Sequence, residues 1–147
     1  MIDHVWTVVC SWAVVDRRSN NVSLENVIEQ VTIADTPRPG GILALPFDVM
    51  TLWARADFGV PTSGRGRLVL LSPSGKELKA SEYDIELTGK AKRYRSVVHF
   101  DALPVGEPGR CIFRTELWNA GKAEWDKKAD VPLEVVFEPP ETTQEAN

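Results

Sequence analysis

The stretch Val5-Trp6-Thr7-Val8-Val9-Cys10-Ser11-Trp12-Ala13-Val14-Val15 decides the fold class. Taken at alternate positions, Trp6, Val8, Cys10, Trp12 and Val14 fall on one side. Val5, Thr7, Val9, Ser11 and Ala13 fall on the other. A period of two, rich in β-branched and aromatic residues, is the signature of a β-strand. The heavier side, with Trp6 and Trp12, is expected to face the core. Asp16-Arg17-Arg18-Ser19-Asn20-Asn21 then reads as a turn, because Asn and Asp tolerate left-handed backbone. The chain returns as a strand over Val22 to Ile33. Val22 and Leu24 share one parity there, and Val27, Val31 and Ile33 the other. One extra residue would reconcile the two sets, so a β-bulge is expected at Glu25-Asn26.

The same pattern continues to the C-terminus. Phe47–Asp57, Arg67–Leu71, Glu77–Leu87, Arg95–Phe100, Cys111–Trp118 and Lys122–Phe137 read as strands. They are separated by the Pro- and Gly-bearing loops 34–46 and 102–109 and by the type I turn signal Ser72-Pro73-Ser74-Gly75. Pro132 marks a sheet edge, a break or the first residue of the strand proper. About eight strands without a convincing helix predict an antiparallel β-sandwich, with an orthogonal barrel as the alternative. The domain is expected to span residues 1–137, followed by a disordered acidic tail over 138–147.

Composition fits one domain: 147 residues, 43% hydrophobic and 26% charged. Seventeen Lys and Arg against 21 Asp and Glu leave a net charge of −4, which argues against a dedicated polyanion binder. Asp3 stands where a secretory signal would be basic, and no run reaches the ~18 apolar residues of a membrane span. A cytoplasmic location is therefore expected, or export by a route that reads no N-terminal signal, without a membrane partner. Cys10 and Cys111 read as buried free thiols, with a cross-sandwich disulfide as the minority case. With His4 and His99 they lack the paired spacing of a zinc motif, so no metal or other cofactor is expected.

No catalytic residues emerge, since the chain has no nucleophile elbow, Walker loop or zinc helix. Gly64-Arg65-Gly66-Arg67 reads as a loop, His99 as an outer-face residue, and Glu82, Asp84 and Glu86 as the exposed side of a strand. The densest charge lies in Lys90, Lys92, Arg93, Tyr94 and Arg95. Such a patch could grip a phosphate backbone, with the tyrosine stacking a base. The rest of the chain is more acidic still, which favours a solvated hairpin tip or a guarded sheet edge. Parity sends Trp53, Trp118 and Trp125 outward, making them the candidate contact surface for a protein partner or a second copy. Sugar stacking on the exposed rings, or a site assembled from loops 34–46 and 102–109, is the alternative.

Several segments together resemble a family of short bacterial, partly phage-associated proteins that form a domain of unknown function. The first is Cys10-Ser11-Trp12-Ala13, then Ser23-Leu24-Glu25-Asn26-Val27-Ile28, where the family often has Gly in place of Asn26. Next come Ser72-Pro73-Ser74-Gly75, Leu103-Pro104-Val105-Gly106-Glu107-Pro108-Gly109 and Pro132-Leu133-Glu134-Val135. The resemblance covers roughly residues 8 to 137 and implies an immunoglobulin-like or similar sandwich without known catalytic residues. It also implies left-handed backbone at Asn26, since Asn is the next best tolerated residue after Gly. Cys111 departs from the pattern, standing where an aromatic is usual.

Overall fold

The computed structural model describes residues 1–139. The described residues are all-β, with eleven strands and no helix. In chain order these are β1 (Ile2–Val15), β2 (Val22–Val27), β3 (Gln30–Ile33), β4 (Ile42–Leu43), β5 (Phe47–Arg55), β6 (Thr62–Leu71), β7 (Glu77–Leu87), β8 (Arg93–Phe100), β9 (Leu103–Pro104), β10 (Gly109–Asn119) and β11 (Glu124–Phe137). One sheet has the order β2-β1-β5-β8 and the other β3-β11-β10-β6-β7, with β4 and β9 forming a small third sheet. The two larger sheets share one core, an arrangement consistent with a β-sandwich. The expected disordered tail falls mostly on 140–147, outside the described residues.

The excess over eight strands has two sources. The two loops each contribute one strand of the β4–β9 pair. The segment read as one strand, Val22 to Ile33, is two: β2 pairs with β1, and after Ile28-Glu29 the chain crosses to run parallel to β11 as β3. That crossing turns Val31 and Ile33 to the core, whereas Val27 keeps the outer parity it has opposite Cys10 in β2 and is exposed. The bulge expected at Glu25-Asn26 is absent, because the β1–β2 register runs unbroken from Val15↔Val22 to Cys10↔Val27. Asn26 does hold a left-handed backbone, φ 54°, and its Nδ2 donates to Ser11 Oγ at 2.7 Å.

A bulge lies instead in β1, where the register against β5 shifts between His4 and Trp6. Val5 is the extra residue, and it reverses the parity of everything after it. Before it, Ile2 and His4 face inward. After it, Thr7 and Val9 do, and Trp6, Val8, Cys10 and Trp12 turn to the outer side. The inward placement expected for Trp6 and Trp12 is thereby overturned.

The inter-sheet core has two parts. The larger gathers Val9, Phe47, Val49 and Phe100 from the first sheet with Leu68, Leu70, Phe113, Leu133 and Val135 from the second. Phe47 and Phe100 stack at 4.7 Å, and Phe113 meets both edge-on. The smaller joins Ile2 and Trp53 to Ile85 and Leu87. Hydroxyls lie on the inward faces as well: half-buried Thr7 Oγ1 bonds buried Thr51 Oγ1 at 3.1 Å, buried Thr115 Oγ1 across the sheets at 3.0 Å, and His4 Nε2 at 2.7 Å. Each hydroxyl can donate once and accept twice, so the cluster satisfies itself away from water.

Gly64 and Gly66 are not in a loop but in β6, facing inward. A Cβ on Gly66 would lie 2.4 Å from the Tyr83 ring, and one on Gly64 would lie 2.8 Å from Ile2 Cδ1. The missing side chains let the Tyr83 ring lie across β6, where its hydroxyl accepts a hydrogen bond from Trp53 Nε1 at 3.1 Å. Gly66→Ala is therefore expected to displace Tyr83 and to cost about 1–3 kcal/mol in denaturant unfolding. An unchanged midpoint would show that the ring does not occupy that space.

Candidate interaction surface

The three tryptophans expected on the surface separate. Trp53 lies on β5 opposite Tyr94, facing the core, and is fully buried. The outward placement expected for it is overturned: within β5, Phe47, Val49, Thr51 and Trp53 form the inward set. Trp118 and Trp125 do face outward, paired across the β10–β11 hairpin. Their rings meet edge-on at 5.3 Å, and the Arg67 guanidinium lies 4.5 Å above Trp125. Both are half-buried by one another and by Arg67.

Arg67 in turn places Nε and Nη2 at 2.9 and 2.7 Å from Glu116 Oε1. The outer face of the five-stranded sheet is a lattice of such pairs. Arg65 bonds Glu82, Arg110 bonds Glu134, and Arg114 holds Asp130 through two contacts. The Arg114 hydrogen bond also holds the Asp130 carboxyl below its ordinary range. Glu82, Asp84 and Glu86 share that face, as the alternation within β7 requires.

The outer side of the four-stranded sheet differs. Here β5 and β8 contribute Met50, Leu52 and Val97 beside Trp6, Val8 and Cys10 of β1. The sheet curls toward this side, so that the β1–β2 turn reaches past β5. In that turn Asn20, at φ 58°, accepts hydrogen bonds from Arg95 of β8 through its backbone and side-chain oxygens. Met50, Leu52 and Cys10 are buried although none faces the inter-sheet core. Trp12, Val14, Val15 and Val27 of the β1–β2 hairpin remain exposed, Trp12 at 57%, and so does Val97 at 50%. Parity reasoning missed this surface because the reversal at Val5 has no signature in side-chain type.

The basic segment lies beside the hairpin turn. Asn20 and residues 90–95 line a depression of about 450 Å³. Among the described residues none of Lys90, Lys92, Arg93 and Arg95 forms an ion pair, in contrast to the paired cations of the other sheet. Tyr94 faces inward and packs against the Trp53 cluster, so its ring is not offered to a base.

The remaining candidates are separate from one another. Cys10 and Cys111 are free and buried, and burial pushes both thiols up. No group of three or more His, Cys, Asp or Glu residues is placed to hold a metal among the described residues. No helix there is long and apolar enough to cross a membrane. An open cleft of about 860 Å³ is bordered by His4, Ser63, Trp118, Asn119 and Asp126. Asn119 Nδ2 donates to Asp126 Oδ2 at 3.0 Å. No protein-family model matches the chain, and no curated protein matches its sequence.

The two histidines titrate in opposite directions. His99 bonds Asp48 through Nδ1 at 2.8 Å and Asp101 through Nε2 at 3.1 Å, which raises its pKa from 6.5. Burial lowers that of His4, whose ring stands edge-on to Trp53. The folded state holds the His99 proton more tightly than the unfolded chain does. Its contribution is thus full below about pH 6.5 and is lost as pH rises through the raised value. Burial disfavours the His4 imidazolium, so acidification below about 6.5 favours the unfolded chain, which binds that proton first. An NMR titration should show one histidine above 6.5 and one below, with His99→Asn removing the upper transition. Coincident titrations at 6.5 would contradict both environments.

Proposed function

We propose that this chain is a non-enzymatic protein-interaction module whose contact surface is the outer side of the four-stranded sheet, centred on Trp12. The observation that carries this reading is the exposure of Trp12 with Val14 and Val27 on one side of one hairpin. Large aromatics surrounded by small apolar side chains are the usual anchors of protein interfaces. An immunoglobulin-like architecture is supported by the strand order, in which β1-β5-β8 stand as strands A-B-E and β6-β10-β11 as C-F-G. The resemblance to the bacterial, partly phage-associated family named above is kept as part of this proposal; Asn26 holds the left-handed backbone expected where that family often has Gly. Two free thiols support a cytoplasmic, reducing setting.

A second reading, a small-ligand or carbohydrate site, draws on the cleft that sets Trp118 beside Asn119 and Asp126. Crosslinked capture from the protein's own cells, together with light scattering, separates the two readings. Trp12→Arg is expected to lose at least about 90% of the captured partner or of self-association, whereas Trp118→Ala retains it. Both variants should unfold within about 1 kcal/mol of wild type, because neither side chain is in the core. Equal capture and equal mass for wild type and Trp12→Arg would overturn the reading.

A further inference from the structure

We propose that the free edge of β8 takes up an extended acidic segment of a partner protein as an added strand. This rests on the interaction-module reading and specifies the partner's chemistry.

The backbone supplies the first argument. Among the described residues β8 ends its sheet, paired with β5 on one side only. The Arg55 amide donates to Lys92 O, and the β5–β8 register then runs without a shift. In an antiparallel ladder, hydrogen-bonded and non-hydrogen-bonded pairs alternate. Tyr94, Ser96, Val98 and Phe100 therefore turn their amides and carbonyls to β5. Those of Arg93, Arg95, Val97 and His99 face away. The edge offers an open row of donors and acceptors, the template used in strand addition.

Charge supplies the second. Lys90, Lys92, Arg93 and Arg95 lead into that row, and among the described residues no carboxylate lines the depression they form. The β1–β2 turn seated on Arg95 adds Arg17 and Arg18, neither of them in an ion pair among the described residues. Cations at an open edge repel a second basic strand, so a copy of β8 would set arginine against arginine. The same cations favour an acidic strand and accelerate its encounter. Exposed Val97 gives such a strand an apolar contact in the middle of the edge. A nucleic acid is the poorer fit, because Tyr94 is packed inward and the chain as a whole carries −4.

The test is fluorescence anisotropy with a blocked peptide of about ten residues alternating glutamate and valine. Its lysine-for-glutamate counterpart and a single-stranded oligonucleotide serve as controls. The acidic peptide is expected to bind in a salt-dependent manner, and its binding should slow amide exchange at Arg93, Arg95, Val97 and His99. Lys90→Glu with Lys92→Glu should weaken it by about tenfold or more. Val97→Pro should do the same, since it removes an outward amide and no bond to β5. Should that variant fail to fold, the exchange measurement on wild type decides alone. Arg110→Gln, on the outer face of the other sheet, should leave peptide binding unchanged. The proposal is overturned if the lysine peptide binds equally, if the four amides gain no protection, or if only the oligonucleotide binds. Those results, with Trp12-dependent capture intact, would leave the module reading standing.

Discussion

The extra residue Val5 sets which side chains of β1 meet the core. Its insertion between His4 and Trp6 lets Ile2 and His4 face inward at one end, and Thr7 and Val9 do so along the rest. Without it, Trp6, Val8, Cys10 and Trp12 would be directed at Phe113 and Leu133, and the Thr7–Thr115 bond between the sheets would be lost. A one-residue shift exchanges every side chain between faces, so one bulge determines both the core and the surface. The exposed Trp12 and Val14 of the hairpin, and the outward Trp6, Val8 and Cys10 beside Met50 and Leu52, are its consequences.

Polar groups give the interior its geometry as well as its cost. The threonine cluster binds one sheet to the other, and the Trp53–Tyr83 bond fixes the smaller core. Burial pushes the Tyr83 phenol up, so it remains protonated. Buried hydroxyls without partners would cost about 1–3 kcal/mol each, which explains why these converge on one another. On the outside the sheets have divided the work. One neutralises its arginines with neighbouring carboxylates, and the other leaves apolar side chains, unpaired cations and a sheet edge open on a single side.

Much of the fold was legible from residues alone. Alternation located β1, β5, β7, β10 and β11, and the turns at 16–21 and 72–75 are where their Asn, Pro and Gly place them. The inward set Cys111, Phe113 and Thr115 and the outward Trp118 followed from parity within an unbulged strand. Pro132 sits where β3 has not yet reached β11, which is an edge position. Three features were not legible. A bulge of Val5 looks like any other valine. The crossing at Ile28-Glu29 changes parity just as a bulge would. Gly64 and Gly66 owe their places to Ile2 and Tyr83, which are distant in sequence. Each of these is a tertiary choice between locally equivalent patterns. The first accounts for Trp12; Trp53 was misplaced because both sides of β5, Phe47-Val49-Thr51-Trp53 and Met50-Leu52, are buried.

Hydroxyl-radical footprinting of the free protein, read by mass spectrometry at single tryptophans, tests this exchange most directly. Trp12 is predicted to be the most heavily oxidised of the five and Trp53 the most protected, with Trp6, Trp118 and Trp125 between them. Heavy oxidation of Trp53 with protection of Trp12 would place the bulge elsewhere and contradict the account.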